Sequence, residues 1–137
     1  VLISVKTVDQ LAVIDVARYL SINGFRLVAT EGTAESLEVA GITASVIRKV
    51  SEAHPNVADS IRDDEFDLII NTTASRYSRR DSQTIRRLAL IYKIPYYTTL
   101  ASARAACEAH RSGSQMLVNR LQSLHEACVY DTDTFND

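Results

Sequence analysis

Short apolar runs alternate along the chain with stretches in which apolar residues recur every three or four positions. The first pattern predicts buried strands and the second predicts amphipathic helices. The predicted strands are residues 1–5, 25–30, 44–50, 66–71 and 94–99. The predicted helices are residues 9–23, 31–41, a short 57–62, 81–92, 100–110 and 115–127. Strands that alternate with helices in this way predict an α/β fold of three layers, with five parallel strands in a doubly wound, Rossmann-like sheet.

Particular residues support the helix assignments. The first helix places Leu11, Ile14, Ala17 and Leu20 on one face, and Asn23-Gly24 supplies its stop. In the fourth, Asp81 is a candidate N-cap, followed by an apolar face of Ile85, Leu88 and Ile91. The polar segments 51–56 and 72–80 are predicted loops.

Length and composition set the outer limits. The chain of 137 residues fits one domain, predicted at 1–127, followed by an acidic tail at 128–137 that we expect to be disordered. Because the chain does not begin with Met, we expect a fragment of a longer protein, with a processed start as the alternative. The formal net charge of -2 argues against a nucleic-acid partner.

No apolar run reaches the roughly 18 residues that cross a membrane, so no membrane partner is expected. Cys107 and Cys128 lie in helical sequence without a metal-binding spacing. We therefore expect reduced, buried or half-buried cysteines, no metal site and a cytoplasmic location.

Polar residues follow the predicted strands at the points where each strand ends. In parallel sheets of this kind, ligands bind beyond the carboxyl ends of the strands. Those ends carry Ser4 to Lys6, Thr30 to Thr33, Lys49, Asn71-Thr72-Thr73 and Thr98-Thr99.

This set of residues suits a phosphate group, which is held by backbone N–H groups, hydroxyl donors and a cation. Gly32 lets the backbone approach a ligand, and the helix that begins there offers partial positive charge. Lys49 supplies the cation, and Thr30, Thr33, Thr72 and Thr73 supply hydroxyls. Ordinary caps and turns use the same residue types, so a purely structural role for each threonine stays open.

The remaining chemistry-bearing residues form no catalytic motif. His110 and His125 are expected on the solvated surface, whereas His54 either faces the pocket or is solvated. Asp59, Asp63 and Asp64 fit a solvated face. An arginine-rich stretch places Arg79 and Arg80 in the predicted loop at the ligand rim, and Arg86 and Arg87 on the next helix. The rim pair would attract an anion or contact a partner domain.

The motifs together resemble a known domain. The matching segments are LISV, FRLVATEGTA, VIRKVSEAHPNVADSI, DLIINTT and DSQTIRRLALIYKIPYYTTL. They are similar to the C-terminal allosteric domain of the carbamoyl-phosphate synthetase large subunit, which has the methylglyoxal synthase-like fold. The resemblance extends from residue 1 to about residue 126.

The resemblance implies a regulatory domain without chemistry of its own, which binds UMP as inhibitor and IMP as weak activator at one site. It also implies that the domain helps bind ornithine at its border with the synthetase core. Carried over by motif, the effector residues are Ser4, Thr30, Gly32, Thr33, Lys49, Asn71, Thr72, Thr73 and Asp81, with Thr98 on the ornithine side. Gln10 belongs to the same site, and the bacterial pattern has a lysine there. One positive charge is therefore missing, so affinity or effector preference is expected to differ unless Lys6 substitutes.

The same resemblance implies a parent ligase, the glutamine-hydrolysing enzyme of pyrimidine and arginine biosynthesis. Its partners would be the synthetase core of the same chain and a small glutaminase subunit. Its cofactors would be ATP, Mg or Mn, and K, with none in this domain.

Two other functions stay open. The first is a methylglyoxal synthase-type phosphate lyase, in which Asp59 or Asp63 would act as base and His54 as electrophile, although that family's own motifs are absent. The second is a purely structural domain.

Overall fold

The computed structural model describes residues 1–73 and 76–113, without the side chains of residues 76–78. The predicted helix 115–127 and tail 128–137, with His125 and Cys128, lie outside the described residues. The strands are β1 (Leu2–Ser4), β2 (Val28–Thr30), β3 (Ser45–Ile47), β4 (Ile69–Asn71) and β5 (Tyr96–Tyr97). The helices are α1 (Ile14–Ile22), α2 (Glu31–Val39), α3 (Val57–Arg62), α4 (Arg76–Ile91) and α5 (Leu100–Arg111).

The five strands form one parallel sheet in the order β3-β2-β1-β4-β5. The chain therefore winds outward from β1 in both directions, and the predicted doubly wound α/β fold is confirmed. Each strand is shorter than its apolar run predicts, because the runs also include residues of the loops that precede or follow the strand.

Neighbouring residues of the central strands face opposite layers. Ile3 and Ile70 pack against α1, α2 and α5, whereas Leu2 and Ile69 pack against α3 and α4. This alternation is the period of two that a strand imposes, and it explains why buried strands are apolar throughout. Helices on both faces make the three layers.

Two glycines end helices as predicted. Gly24 and Gly41 have φ angles of 85° and 73°, in the left-handed region that other residues avoid. After Gly41, the N–H of Ile42 donates to the carbonyl of Leu37 at 2.9 Å, which is the bond of a Schellman stop.

The prediction for α4 was wrong at its start. The helix begins at Arg76 rather than Asp81, so Arg79 and Arg80 lie in a helix and not in a rim loop, and Asp81 is not its N-cap. Arginine favours helices, but a polar, solvated first turn shows no apolar periodicity. Arg79 and Arg80 are both exposed on this helix.

The first helix is also shorter than predicted. Residues Thr7–Asp9 form a 3-10 turn, and α1 starts only at Ile14. Leu11, predicted on the buried face, is 82% exposed because it lies in the turn that precedes the helix.

Truncation of Leu37 tests the packing of α2 against the sheet. The Leu37 side chain is fully buried, so we expect Leu37→Ala to lower the free energy of unfolding by about 2–5 kcal/mol. Val39 lies on the same helix and is 92% exposed, so Val39→Ala is the matched control and should change it by less than about 0.5 kcal/mol. Urea unfolding followed by circular dichroism measures both, and equal losses would contradict the packing described.

Candidate functional site

The predicted site residues lie along the carboxyl edge of the sheet. Ser4 ends β1 opposite Asn71 at the end of β4, and Ile3 pairs with Ala29, so Thr30 ends β2 at the same level. Because all strands are parallel, the loops that follow them leave on one side.

The hydroxyl of Thr30 is directed to β1 and not to its own helix. It donates to Ser4 Oγ at 3.2 Å, although Thr30 occupies the N-cap position of α2. The Thr30 side chain therefore does not cap the first backbone amides of α2. Such amides carry partial positive charge and suit an anion.

Two buried hydroxyls hold the chain as it leaves β1. Thr33 Oγ1 accepts the Val5 N–H at 3.2 Å, and Thr72 Oγ1 accepts the Lys6 N–H at 3.0 Å. A hydroxyl that accepts from an amide still has its own proton to donate. These bonds join α2 and the end of β4 to the chain that leaves β1.

Gln10 lies over the start of α2. A Cβ added at Gly32 would come within 3.2 Å of Gln10 Nε2, so this glycine permits the close approach. The position at which the resembled pattern has lysine is thus adjacent to the first turn of α2. Nearby, Lys6 Nζ lies 3.6 Å from Asp9 Oδ2, in a half-buried ion pair.

Asn71 is buried and serves the scaffold. Its Nδ2 donates to Ser82 Oγ and to Tyr96 Oη, both at 2.9 Å, and so joins β4 to α4 and β5. Sequence reasoning missed Ser82 and Tyr96. Nothing in the segments DSQT and IPYY distinguishes Ser82 or Tyr96 from other residues of a helix or a strand.

The loop after β3 carries Lys49, which is exposed and lies two residues beyond the end of that strand. Its N–H donates to Glu52 Oε2 at 2.8 Å. The carboxylate of Asp81 accepts from Ser51 Oγ at 2.8 Å and from the Ser51 N–H at 3.3 Å. Asp81 therefore joins α4 to the loop that carries Lys49. Ser51, its partner in that loop, was not predicted from the sequence.

The two outer threonines are exposed. Thr73 follows β4 directly, and Thr98 follows β5. Next to Thr98, Thr99 caps α5 by accepting the Ser102 N–H at 3.2 Å. Both exposed residues lie at the carboxyl edge, and no side-chain hydrogen bond joins either of them to the residues above within the described part of the chain.

His54, in the loop before α3, pairs with Asp59 in the first turn of that helix. His54 Nδ1 lies 2.6 Å from Asp59 Oδ2, and the imidazole is 77% exposed. Asp59 also accepts the Asn56 N–H at 2.9 Å and pairs with Arg62 at 3.1 Å, completing the capping box of α3. The pKa of Asp59 is lowered, chiefly by the hydrogen bond from His54 and next by that from Asn56. This carboxylate is ionised and fully engaged as a cap.

His110 and Cys107, the remaining described histidine and cysteine, have structural roles. His110 is exposed, as predicted, and its Nδ1 lies 2.7 Å from Tyr19 Oη, which connects α5 to α1. Cys107 is a half-buried free thiol, also as predicted, and burial raises the pKa of that thiol.

Neither a metal site nor a membrane-spanning helix is found within residues 1–73 and 76–113. They hold no group of three or more His, Cys, Asp or Glu residues arranged to bind a metal ion. None of the helices described is both long and apolar enough to cross a bilayer.

The comparisons with known proteins agree with the sequence resemblance. A family model described as "MGS-like domain" matches residues 12–98. The chain is 47% identical over 123 residues to the carbamoyl phosphate synthase large chain of Halomonas eurihalina, covering 90% of this chain and 11% of that one. It is 49% identical over 123 residues to that of Pseudomonas putida, covering 90% and 12%. The C-terminal section from Methanopyrus kandleri is 46% identical over 127 residues, covering 90% and 23%.

The chain therefore belongs to the MGS-like domain family, and its five-stranded parallel sheet agrees with this. The similarity to the domain of carbamoyl phosphate synthase large chains, predicted from the motifs, is confirmed. This chain spans between 11% and 23% of the length of the three relatives described.

The pair of His54 and Asp59 allows a test of the loop geometry. We expect His54→Ala to raise the pKa of Asp59 toward its ordinary 3.8, and to raise it more than Arg62→Ala does, because the hydrogen bond from His54 is the largest cause of the shift. Carboxyl-carbon NMR titration of the native chain and both variants measures this order.

The stability consequence has a definite sign. The pKa of Asp59 is lower in the folded chain than the ordinary value of 3.8 expected in the unfolded chain. Its contribution to stability is therefore fully present at pH values above 3.8, and it is lost as the pH falls through the lowered pKa. A larger pKa rise in Arg62→Ala than in His54→Ala would contradict the assignment.

Proposed function

We propose that this chain is an effector-binding regulatory domain of a carbamoyl phosphate synthase large chain. The observation that supports it best is the pair of buried hydroxyls, Thr33 and Thr72, beside the uncapped first turn of α2. Each accepts a backbone N–H and so can direct its proton to an anion. Two elements that are distant in sequence, α2 and the end of β4, contribute to this group, as expected for a ligand site and not for a single turn.

A nucleotide phosphate fits the chemistry of this edge. The dianion would lie at the start of α2, with amides around Gly32 and the Thr33 hydroxyl as donors. Lys49 would add the point charge from the neighbouring loop, and Ser4 would close the site beside Thr30. Thr73 lies on the exposed side of the same edge, where the sugar or base would extend.

The resemblance to the synthetase domain points to UMP and IMP as effectors, and to ornithine near Thr98 at a border with the synthetase core. A nucleotide regulates the parent enzyme only if it binds one conformation of that enzyme better than the other. Such coupling is typically worth about 1–3 kcal/mol. Ligase activity, ATP, metal ions and the glutaminase subunit would all belong to the parent.

The lyase alternative has no structural observation in its favour. Asp59, one of its two candidate bases, is held by His54, Asn56 and Arg62 as the cap of α3. Asp63, the other, is exposed at the end of that helix. The regulatory role is therefore the function that we propose.

Removal of the charge on Lys49 tests the phosphate site. We expect Lys49→Gln to weaken UMP and IMP binding about tenfold or more, because one charge-assisted hydrogen bond contributes about 1.5–3 kcal/mol. Lys93→Gln is the control, since Lys93 precedes β5 at the opposite edge and should leave binding unchanged. Titration calorimetry at fixed ionic strength measures both variants. No heat with either nucleotide, or equal effects of the two variants, would contradict the proposal.

A substitution at Gln10 that increases nucleotide affinity tests the site, because a misfolded variant would lose affinity and not gain it. We expect Gln10→Lys to strengthen nucleotide binding about tenfold, with steeper salt dependence, because it adds a cation beside the first turn of α2. Thr43→Lys adds the same charge at the amino end of β3 and should have no such effect. Calorimetry at two salt concentrations compares them, and unchanged affinity in Gln10→Lys argues against phosphate at this position.

A further inference from the structure

The chain leaves β1 between two hydroxyls of the proposed phosphate site. The Val5 N–H donates to Thr33 Oγ1 at 3.2 Å, and the Lys6 N–H donates to Thr72 Oγ1 at 3.0 Å. Val5 is buried in the core beside α1 and α2, whereas Lys6 has extended backbone angles, with φ at -63° and ψ at 155°. Successive residues of an extended segment point to opposite sides, so the Lys6 side chain leads away from that core, beside Thr72.

The ammonium of Lys6 forms a loose ion pair with Asp9. The distance from Lys6 Nζ to Asp9 Oδ2 is 3.6 Å, which is longer than the about 2.7–2.9 Å of a charge-assisted hydrogen bond. Within residues 1–73 and 76–113, this nitrogen forms no hydrogen bond, and the Lys6 side chain is only 33% exposed. An ammonium has three protons to donate. Lys6 is therefore a half-buried cation whose donors are open to a further acceptor.

Asp9 brings a negative charge to the same edge of the sheet. It ends the 3-10 turn Thr7–Asp9, and its side chain is 22% exposed. The next residue, Gln10, lies against the first turn of α2, because its Nε2 would be 3.2 Å from a Cβ at Gly32. A phosphate at that turn would come near the carboxylate of Asp9 and be repelled by it. A cation between the two removes this repulsion, and the Lys6 ammonium is the one that the described structure pairs with Asp9.

We propose that Lys6 is the second cation of the effector site, and that Asp9 is its counter-ion until a phosphate displaces it. The ammonium then exchanges the carboxylate of Asp9 for the phosphate oxygens, while Lys49 approaches the phosphate from the loop after β3. Lys6 thereby supplies, from the end of β1, the charge that Gln10 lacks. This inference rests on the proposed function, since it concerns the same site.

A screening role is the alternative to direct contact. In that case Lys6 would only shield the ligand from Asp9, and its own donors would never reach the phosphate. The two roles predict opposite interactions between the residues. If Lys6 contacts the phosphate, removal of Asp9 helps binding mainly by releasing Lys6. If Lys6 only shields Asp9, removal of Asp9 helps binding most when Lys6 is absent.

Removal of the Lys6 charge is the first test, with UMP and IMP as probes in titration calorimetry. We expect Lys6→Gln in the full 137-residue chain to weaken nucleotide binding about tenfold, because one charge-assisted hydrogen bond to the ligand is lost. The salt dependence of binding should become flatter, since one charge fewer takes part. Lys93→Gln, at the opposite edge, is the matched control and should bind as the native chain does.

Removal of the counter-ion should have the reverse effect. We expect Asp9→Asn to strengthen nucleotide binding about two- to fivefold, the range that a partly exposed ion pair allows. Asp67→Asn removes the same charge before β4, at the opposite edge, and should change nothing. A gain in affinity cannot result from a misfolded variant. Circular dichroism checks that each variant keeps the native fold.

The double variant decides between contact and screening. In the Lys6→Gln background, we expect Asp9→Asn to give a smaller gain than in the native chain, because no ammonium is left to release. A larger gain in that background would show that Lys6 only shields Asp9, and would overturn the proposal.

The remaining outcomes separate this inference from the proposed function. If the native chain binds a nucleotide and Lys49→Gln weakens that binding, but Lys6→Gln does not, the assignment of Lys6 is wrong and the effector site stands. If neither nucleotide gives heat with the native chain, the proposed function is wrong, and the assignment of Lys6 is wrong with it.

Discussion

The parallel pairing of β1 with strands on both of its sides is the constraint on which the candidate site depends. Ile3 lies opposite Ala29, and Ser4 lies opposite Asn71. This register brings the ends of three strands to one level, although their residues are distant in sequence. A strand that slipped by one residue would turn its apolar side chains to the wrong layer, so the two cores hold the register in place. Burial on both faces thus fixes where the polar edge forms.

The polar residues of that edge stabilise the fold, in addition to any role in binding a ligand. No buried side-chain nitrogen or oxygen in the described part of the chain lacks a hydrogen-bond partner. Thr33 and Thr72 satisfy backbone amides, and Asn71 fixes α4 and β5 to the sheet. An unpaired buried polar group is costly, so these residues would be needed without a ligand. The structural and the functional readings of each threonine are therefore compatible.

Much of this could be predicted from the sequence because its signals are local. The apolar runs gave the strands, Gly24 and Gly41 gave two helix ends, and the motifs gave the family. The start of α4 could not be predicted, since a solvated arginine-rich turn has no apolar period. The bond of Ser51 to Asp81 and those of Asn71 to Ser82 and Tyr96 join residues that are far apart in sequence. Partners of that kind are defined only by the packed fold.

The position of α2 connects the two edges of the sheet. The helix begins directly after Thr30, without a linker, and ends beside Gly41 at the amino side of β3. Its nine residues span about 13 Å, and Leu37 anchors the far half in the core. A short packed helix moves as a rigid rod, so a displacement of its first turn also displaces its last. A ligand that shifted the start of α2 would therefore also shift its end, at the opposite rim of the molecule.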